Sequence, residues 1–439
     1  MNDEGSLIRS TSRRRLFVPA LLIMLALVVA AYDAHRGKIR GDFTKYSLAA
    51  SRVIWQGGDP YSRAEVGRQY KYLPINALIL TPFLALPVPL VQGVWFSLNV
   101  ALLLWCWGLH QRMLGSWRIP RAAWALALAL TFRFFWGNLN LGQWNTAVYC
   151  LAFAGLALHG RRPWLGGGLV GAAAALKFMP ALFLVWLALK RRWRAAAALV
   201  AALFLAWLVV PVMLLGPGRF AAVMASYREH VLTVRPQYFF QSSMVTGHSL
   251  RTKLVAYLTP VSIEDADKPT QINVINLTRT QAERIGWAVS LLVVAGAMGI
   301  SWRRRRPEAP RSPMLDLLEI GLWFMVLLSV SPAARRAHFL TMFTPLLALT
   351  ALALAPGMPA GLRRLGGAVV AVSLACLLSF STIVKGLAYT DWFHSHGAVT
   401  LWMLALLGAS AAVLLNERWS AAIAAGIPPA EKAADGDGR

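Results

Sequence analysis

The chain has 439 residues, 57% hydrophobic and 14% charged, with a mean hydropathy of +0.53. Soluble domains carry about 25% charged residues, so the composition excludes a soluble globular protein and specifies a polytopic membrane protein. A net charge of +25 would suit nucleic acid on a soluble domain. Here the basic residues sit in short clusters between apolar runs, as positive-inside loops require, and nucleic-acid binding is set aside. The three cysteines, Cys106, Cys150 and Cys376, lie in apolar runs and have neither disulfide nor metal-ligand spacing.

In chain order, Arg13, Arg14 and Arg15 hold residues 1–15 in the cytoplasm, and 16–32 crosses outward as a retained signal anchor. Residues 33–89 form a first outer loop. Within it, 72–87 is apolar but short and carries Pro74, Pro82 and Pro87. If it crossed, every later basic cluster would fall on the wrong side, so it is read as a re-entrant helix. Spans follow at 90–110, 122–136 and 145–158. The run 164–190 is flanked by HGRRP and KRRWR, both of which belong in the cytoplasm. It therefore reads as a broken hairpin that rises over 165–177, turns near Lys177-Phe178-Met179-Pro180 and descends over 181–190. The span 196–215 leads to a second outer loop, 216–283. Further spans run over 285–302, 314–330, 339–355, 366–384 and 398–415, before a disordered cytoplasmic tail, 416–439. The spans number about twelve, within one all-α membrane domain, 16–415.

Carboxylates are scarce. The first outer loop holds Asp33, Asp42, Asp59 and Glu65, and the next acid is Glu229. A membrane protein that must deprotonate something on its outer face has few other places for a base, and Asp42 is the leading candidate. Asp42 could equally N-cap a helix over 43–55. Asp33 and Glu65 read as solvated or ion-paired with Arg36 or Arg68. Gly57-Gly58-Asp59-Pro60 reads first as a turn. Asp316 and Glu319 lie near the inner end of a span and are read as partners of nearby arginines.

Several motifs together resemble glycosyltransferase family 87. They are DFTKYSLAA, GGDPY and KYLP in the first outer loop, GQWN at 142–145, GGLVGAAAALKFMPALFLVWLALKRRWRA at 167–195, QSS with HSLR at 241–251, and SP-x5-H at 331–338. The resemblance, which runs from about residue 16 to 415, implies the GT-C membrane fold. It also implies a first outer loop with membrane-parallel helices and a catalytic aspartate, and a polyprenyl-phosphate-sugar donor, by default of mannose. Asp42 matches that aspartate, with Tyr46 four residues on. His338 matches the histidine that ends the family's SP motif, although Arg335 stands where the family has an aromatic and Ala337 where it has a first histidine.

On this reading Lys177, a costly cation at the tip of the broken hairpin, is a ligand for the donor phosphate, with snorkelling as the bland alternative. His338, Arg335 and Arg336, basic on the outer side against the usual trend, would stabilise the leaving phosphate. Arg251, in the second outer loop with Gln241 and His248, is a further phosphate candidate. Asp59, Tyr61, Gln143, Asn145 and Gln241 are candidate sugar or acceptor contacts. For Gln143 and Asn145, closing backbone groups in a tight turn is the equal alternative. No HExxH, CxxC or Walker A pattern appears, the outer carboxylates are too few to argue for a metal, and a monophosphate leaving group can be met by basic side chains. The expectation is therefore a metal-independent, inverting hexosyltransferase without a cofactor. Its acceptor would be a glycolipid or glycan, and its site would face outward from a bacterial cytoplasmic membrane. The competing reading is a transporter or lipid flippase, which usually shows paired half-repeats; none is visible here.

Overall fold

The computed structural model describes residues 4–38, 40–115, 117, 119–233, 247–260, 272–332, 334–379, 393 and 396–426, with side chains from residue 20 onward. Among these residues every regular element is helical. The elements are α1 (Glu4–His35), α2 (Ala49–Trp55), α3 (Arg63–Val66), α4 (Pro74–Leu78), α5 (Val88–Met113), α6 (Arg121–Leu141), α7 (Asn145–Leu158), α8 (Pro163–Leu176), α9 (Phe183–Leu189) and α10 (Trp193–Phe204). They continue with α11 (Val210–Leu215), α12 (Pro217–Tyr227), α13 (Leu250–Leu258), α14 (Arg279–Arg303), α15 (Pro313–Val330), α16 (Phe343–Leu354), α17 (Ala360–Ser379), α18 (Ala398–Leu415) and α19 (Glu417–Ala425). Eight helical stretches of the described chain are long and apolar enough to cross a membrane, and five shorter apolar ones accompany them. The protein is an all-α, multi-pass membrane protein.

The helices sort by what covers them. In α15, 83% of the residues are buried within the protein, whereas in the most apolar stretch of Trp193–Leu215 only 17% are. The first is a central pillar; the second presents Val200, Phe204, Leu205, Met213 and Leu214 outward, as a lipid-facing helix does. The short apolar segment within the loop 33–89 is α4 followed by a 3₁₀ turn, Thr81–Ala85. Neither piece reaches the roughly 20 residues that a spanning helix needs.

The region 163–189 is broken as its flanking charges require. Helix α8 ends at Lys177, whose backbone is extended (φ −148, ψ 123), and a 3₁₀ turn over Met179–Leu182 leads into α9. Glycines let α8 sit deep between its neighbours. A Cβ on Gly167 would lie 2.0 Å from Ala195 O of α10, one on Gly171 2.6 Å from Leu199 O, and one on Gly166 2.7 Å from Gly155 O of α7. This is small-residue helix packing, in which backbones approach closely without a polar driving force. Because α7 and α8 are joined by a short turn and run antiparallel, the start of α7 and the end of α8 lie side by side. Asn145 and Lys177 thereby become neighbours.

Gly167→Val is therefore expected to lower the thermal unfolding midpoint in lipid or detergent. Overpacking costs about 1–3 kcal/mol, and here the obstacle is backbone that cannot rotate away. Gly168→Ala, on the same helix with nothing within 4 Å of the added carbon, is the control and should leave the midpoint unchanged.

Candidate active site

Asp42 is placed by an ion pair and an aromatic cluster. Gly37, in the left-handed region (φ 56), reverses the chain after α1, and Arg40 folds back onto Asp33. Their salt bridge is 2.8 Å long, with both side chains 4% exposed or less. Arg40 Nη1 also donates to Leu139 O at 3.0 Å, and Lys38 Nζ to Asn140 Oδ1 at 2.6 Å, tying this loop to the end of α6. Asp33 thus pairs with Arg40, not with the Arg36 expected from proximity in sequence. Beyond Asp42 the chain makes a π turn, Phe43–Leu48, that continues into α2. Asp42 makes no side-chain capping bond there, so the helix-cap alternative is not what its carboxylate does.

The GQWN turn comes to meet it. Gly142 takes the left-handed conformation (φ 67) that ends α6, and a Cβ there would lie 2.6 Å from Phe43 Cβ. Phe43 stacks on Trp95 at 4.8 Å, Trp144 meets Trp95 edge-on at 4.6 Å, and Trp95 Nε1 donates to Gly142 O at 3.0 Å. Trp144 Nε1 donates to Ser47 Oγ at 3.0 Å. With the rings fixing both loops, Gln143 Nε2 donates to Asp42 Oδ2. Asn145 Nδ2 donates to Gln143 Oε1 at 2.7 Å and to Asn138 Oδ1 at 2.9 Å. Lys177 Nζ donates to Asn145 Oδ1 and lies 2.9 Å from His338 Nε2. An ammonium only donates, so His338 Nε2 accepts. Its Nδ1 lies against the Arg335 backbone, 2.9 Å from the N–H and 3.0 Å from the carbonyl oxygen.

Asp42, Gln143, Lys177 and His338 line one cavity of about 510 Å³, together with Tyr46, Gln69, Lys71, Tyr72, Tyr227 and Arg335. Among the described lining residues Asp42 is the one carboxylate, while Lys71, Lys177 and Arg335 are cationic. The lining also includes Phe178, Trp207 and Leu232, all exposed, with Phe178 and Trp207 in ring contact at 5.8 Å. A lining that joins charged groups to exposed apolar side chains suits a substrate with a charged head and a hydrocarbon tail.

The cavity thus gathers Asp42, Gln143, Asn145, Lys177, Arg335 and His338 (Asn145 from just behind the lining), and leaves other expected residues elsewhere. Arg336 is exposed at the start of the 3₁₀ turn Arg336–Met342 and is absent from the lining. Arg251 packs its guanidinium on the Trp287 ring at 3.9 Å. Asp59 accepts from Ser226 Oγ and from Tyr61 N, locking the first outer loop to α12. Tyr61 is 1% exposed and donates to Tyr72 O at 2.9 Å. Burial, then the neighbouring Tyr70, Tyr227 and Asp59, push its phenol well above the usual range, so it remains a protonated structural donor. His248 is buried beside the last motif, its backbone N–H on Ala334 O at 2.7 Å. Gln241 lies outside the described residues. Sequence reasoning did not single out Gln69, Lys71, Tyr72 or Trp207 as site residues. KYLP held two of them, but nothing in its spacing shows which way they face.

The family model described as Glycosyltransferase family 87 matches residues 70–332. The chain is similar to a polyprenol-phosphate-mannose-dependent alpha-(1-2)-phosphatidylinositol mannoside mannosyltransferase of Mycobacterium tuberculosis (strain ATCC 25618 / H37Rv). The two are 26% identical over 381 residues, covering 81% of this chain and 79% of the relative. A polyprenol-phosphate-mannose-dependent alpha-(1-2)-phosphatidylinositol pentamannoside mannosyltransferase of Mycolicibacterium smegmatis (strain ATCC 700084 / mc(2)155) is 31% identical over 147 residues, covering 32% of this chain and 35% of that one. No solved structure matches. The family match spans more than half of the sequence, and the chain belongs to glycosyltransferase family 87.

Proposed function

We propose that this glycosyltransferase moves mannose from a polyprenyl-phosphate donor to a hydroxyl of a glycolipid at the outer leaflet of a bacterial cytoplasmic membrane, with inversion at the anomeric carbon. The observation that carries the reading is the cavity itself. A lone lining carboxylate and the cations Lys71, Lys177 and Arg335 share one space with the exposed apolar side chains of Phe178, Trp207 and Leu232. The two mannosyltransferase relatives supply the donor and the acceptor class.

In this mechanism the donor lies with its phosphate against Lys177 and Arg335 and its isoprenoid tail past Phe178 and Trp207 into the bilayer. The acceptor hydroxyl attacks the anomeric carbon from the face opposite the phosphate, and Asp42 takes its proton as the new C–O bond forms. The old C–O bond breaks with its electron pair going to the phosphate oxygen. The leaving polyprenyl phosphate gains negative charge at that moment, where fixed cations stabilise it most. His338, whose Nε2 accepts from Lys177, holds the ammonium in place. The chemistry proposed needs no metal, because the charge that develops on a monophosphate is met by Lys177 and Arg335.

Protein purified into lipid and given labelled polyprenyl-phosphate-mannose with a glycolipid extract of the source membranes is expected to yield a labelled glycolipid with an α linkage. Labelled product of β configuration would rule out inversion from a β-linked donor. Donor that binds but is carried across the bilayer without transfer would favour a flippase.

A further inference from the structure

Asp42 and Lys177 do not touch, yet two side-chain amides join them. Lys177 donates to Asn145 Oδ1, Asn145 Nδ2 to Gln143 Oε1, and Gln143 Nε2 to Asp42 Oδ2. The ends fix the direction of every bond. A lysine ammonium has only donors and an ionised carboxylate only acceptors, so each amide must present its oxygen toward the lysine and its nitrogen toward the aspartate. Turning either amide over would set donor against donor and acceptor against acceptor.

The chain is also anchored from behind. Asn145 is 4% exposed and gives its second amide hydrogen to Asn138 Oδ1. Asn138, 1% exposed, gives its own amide hydrogens to Phe134 O and Ala337 O, both at 2.7 Å. Ala337 immediately precedes His338, which meets the same ammonium. Both hydrogens of the Asn145 amide and its oxygen are therefore committed inside the protein, which leaves Asn145 no donor for a sugar hydroxyl. Hydrogen bonds that begin on one charge and end on another polarise the groups between them.

We propose that Gln143 and Asn145 are positioning residues of the transfer reaction. They form a one-directional relay that pins Asp42 Oδ2, so that Oδ1 is presented to the acceptor hydroxyl. The relay ties that orientation to the ammonium that takes the donor phosphate. The inference rests on the roles proposed above for Asp42 and Lys177. Its physical basis is geometric: a carboxylate held by one oxygen has a fixed second oxygen, and a base misplaced by about 1 Å can cost about 10²-fold in rate.

The test separates the two substrates' parameters. Gln143→Met keeps the side chain's length and removes both of its hydrogen bonds to the relay. Its kcat should fall about 10²-fold, while the donor KM stays near wild type, because position 143 touches Asp42 and not Lys177. Gln143→Glu, of the same shape but unable to donate to Asp42, should lose at least as much. Asn145→Ala should both raise the donor KM and lower kcat. In the double variant Gln143→Met/Asn145→Ala, kcat should fall little below that of Asn145→Ala alone, because residues that act as one unit are not additive. Thermal unfolding midpoints of the same preparations in lipid show that they are folded. A wild type that transfers nothing would sink the relay and the proposed function together. A wild type that transfers, with Gln143→Met at near wild-type kcat or with single losses that multiply in the double variant, would sink the relay alone.

Discussion

Asp42→Asn is expected to lower kcat by about 10²- to 10⁴-fold, the contribution of a positioned general base, equivalent to about 2.7–5.5 kcal/mol in the barrier. The substitution is close to isosteric, and its amide oxygen can still accept from Gln143, so the aromatic cluster and the loop should persist. What is lost is the capacity to take a proton from the acceptor hydroxyl. Donor binding should survive, because the phosphate is assigned to Lys177 and Arg335 and not to Asp42. Transfer assays on wild type and variant, run beside polyprenyl-phosphate binding, check both halves.

Among the described residues no other side chain stands ready to replace Asp42. His338 lines the same cavity, but its Nε2 faces the Lys177 ammonium at 2.9 Å and its Nδ1 faces the Arg335 backbone, 2.9 Å from the N–H and 3.0 Å from the carbonyl oxygen. To act as base it would have to abandon both. Asp59, the nearest carboxylate in the motif order, is held by Ser226 and the Tyr61 backbone outside the cavity lining. Near wild-type transfer by Asp42→Asn would therefore mean that the base comes from outside the described residues or that the acceptor is activated without one. Loss of donor binding alongside transfer would instead move Asp42 to the donor subsite.

What could be read from the sequence follows from the range over which each signal acts. The break at Lys177 was legible because two basic clusters flanked a run too short for two full spans, and charge placement in a membrane obeys a one-sided rule. That 74–85 is two short helical pieces was legible in its shortness and in Pro74 and Pro82. The close packing of α8 at Gly166, Gly167 and Gly171 was not read from the sequence, although small residues at that spacing are a signal for it in a membrane helix. The Asp33–Arg40 pair was not legible: it forms because Gly37 doubles the chain back, and neither residue carries a periodic signal. The lock between Asp59 and Ser226 joins residues 167 positions apart. Trp207 and Phe178 in the cavity lining are two aromatics among many in this chain, and only their place beside Lys177 distinguishes them. The direction of the amide relay was likewise invisible, because GQWN shows two amides but not which charges stand at either end.

Glu319→Gln is expected to destabilise the fold by about 3–5 kcal/mol, the cost of removing one partner from a buried ion pair. Glu319 is 1% exposed inside α15. Lys190 Nζ lies 2.7 Å from its Oε1 and 2.8 Å from its Oε2, Arg304 Nε donates to Oε2 at 2.8 Å, and Trp186 Nε1 donates to Oε1 at 2.9 Å. One carboxylate therefore neutralises two cations and joins the ends of α9 and α14 to α15. Asp316 reaches Arg304 at 3.2 Å but is itself 59% exposed, and such a pair is worth little. Glutamine keeps the volume and leaves two buried cations facing an amide dipole. Replacing all three charged groups with apolar residues of similar size should recover much of the loss, because the desolvation cost then disappears with the charges. The network also lies away from the chemistry: twelve residues of α15, about 18 Å at 1.5 Å per residue, separate Glu319 from Ser331 at the cavity wall. Thermal unfolding midpoints in lipid should fall for Glu319→Gln and rise again in the triple apolar variant. At low temperature, transfer per folded molecule should stay close to wild type. A variant that keeps its midpoint but loses transfer would place Glu319 in the reaction cycle instead of in the scaffold.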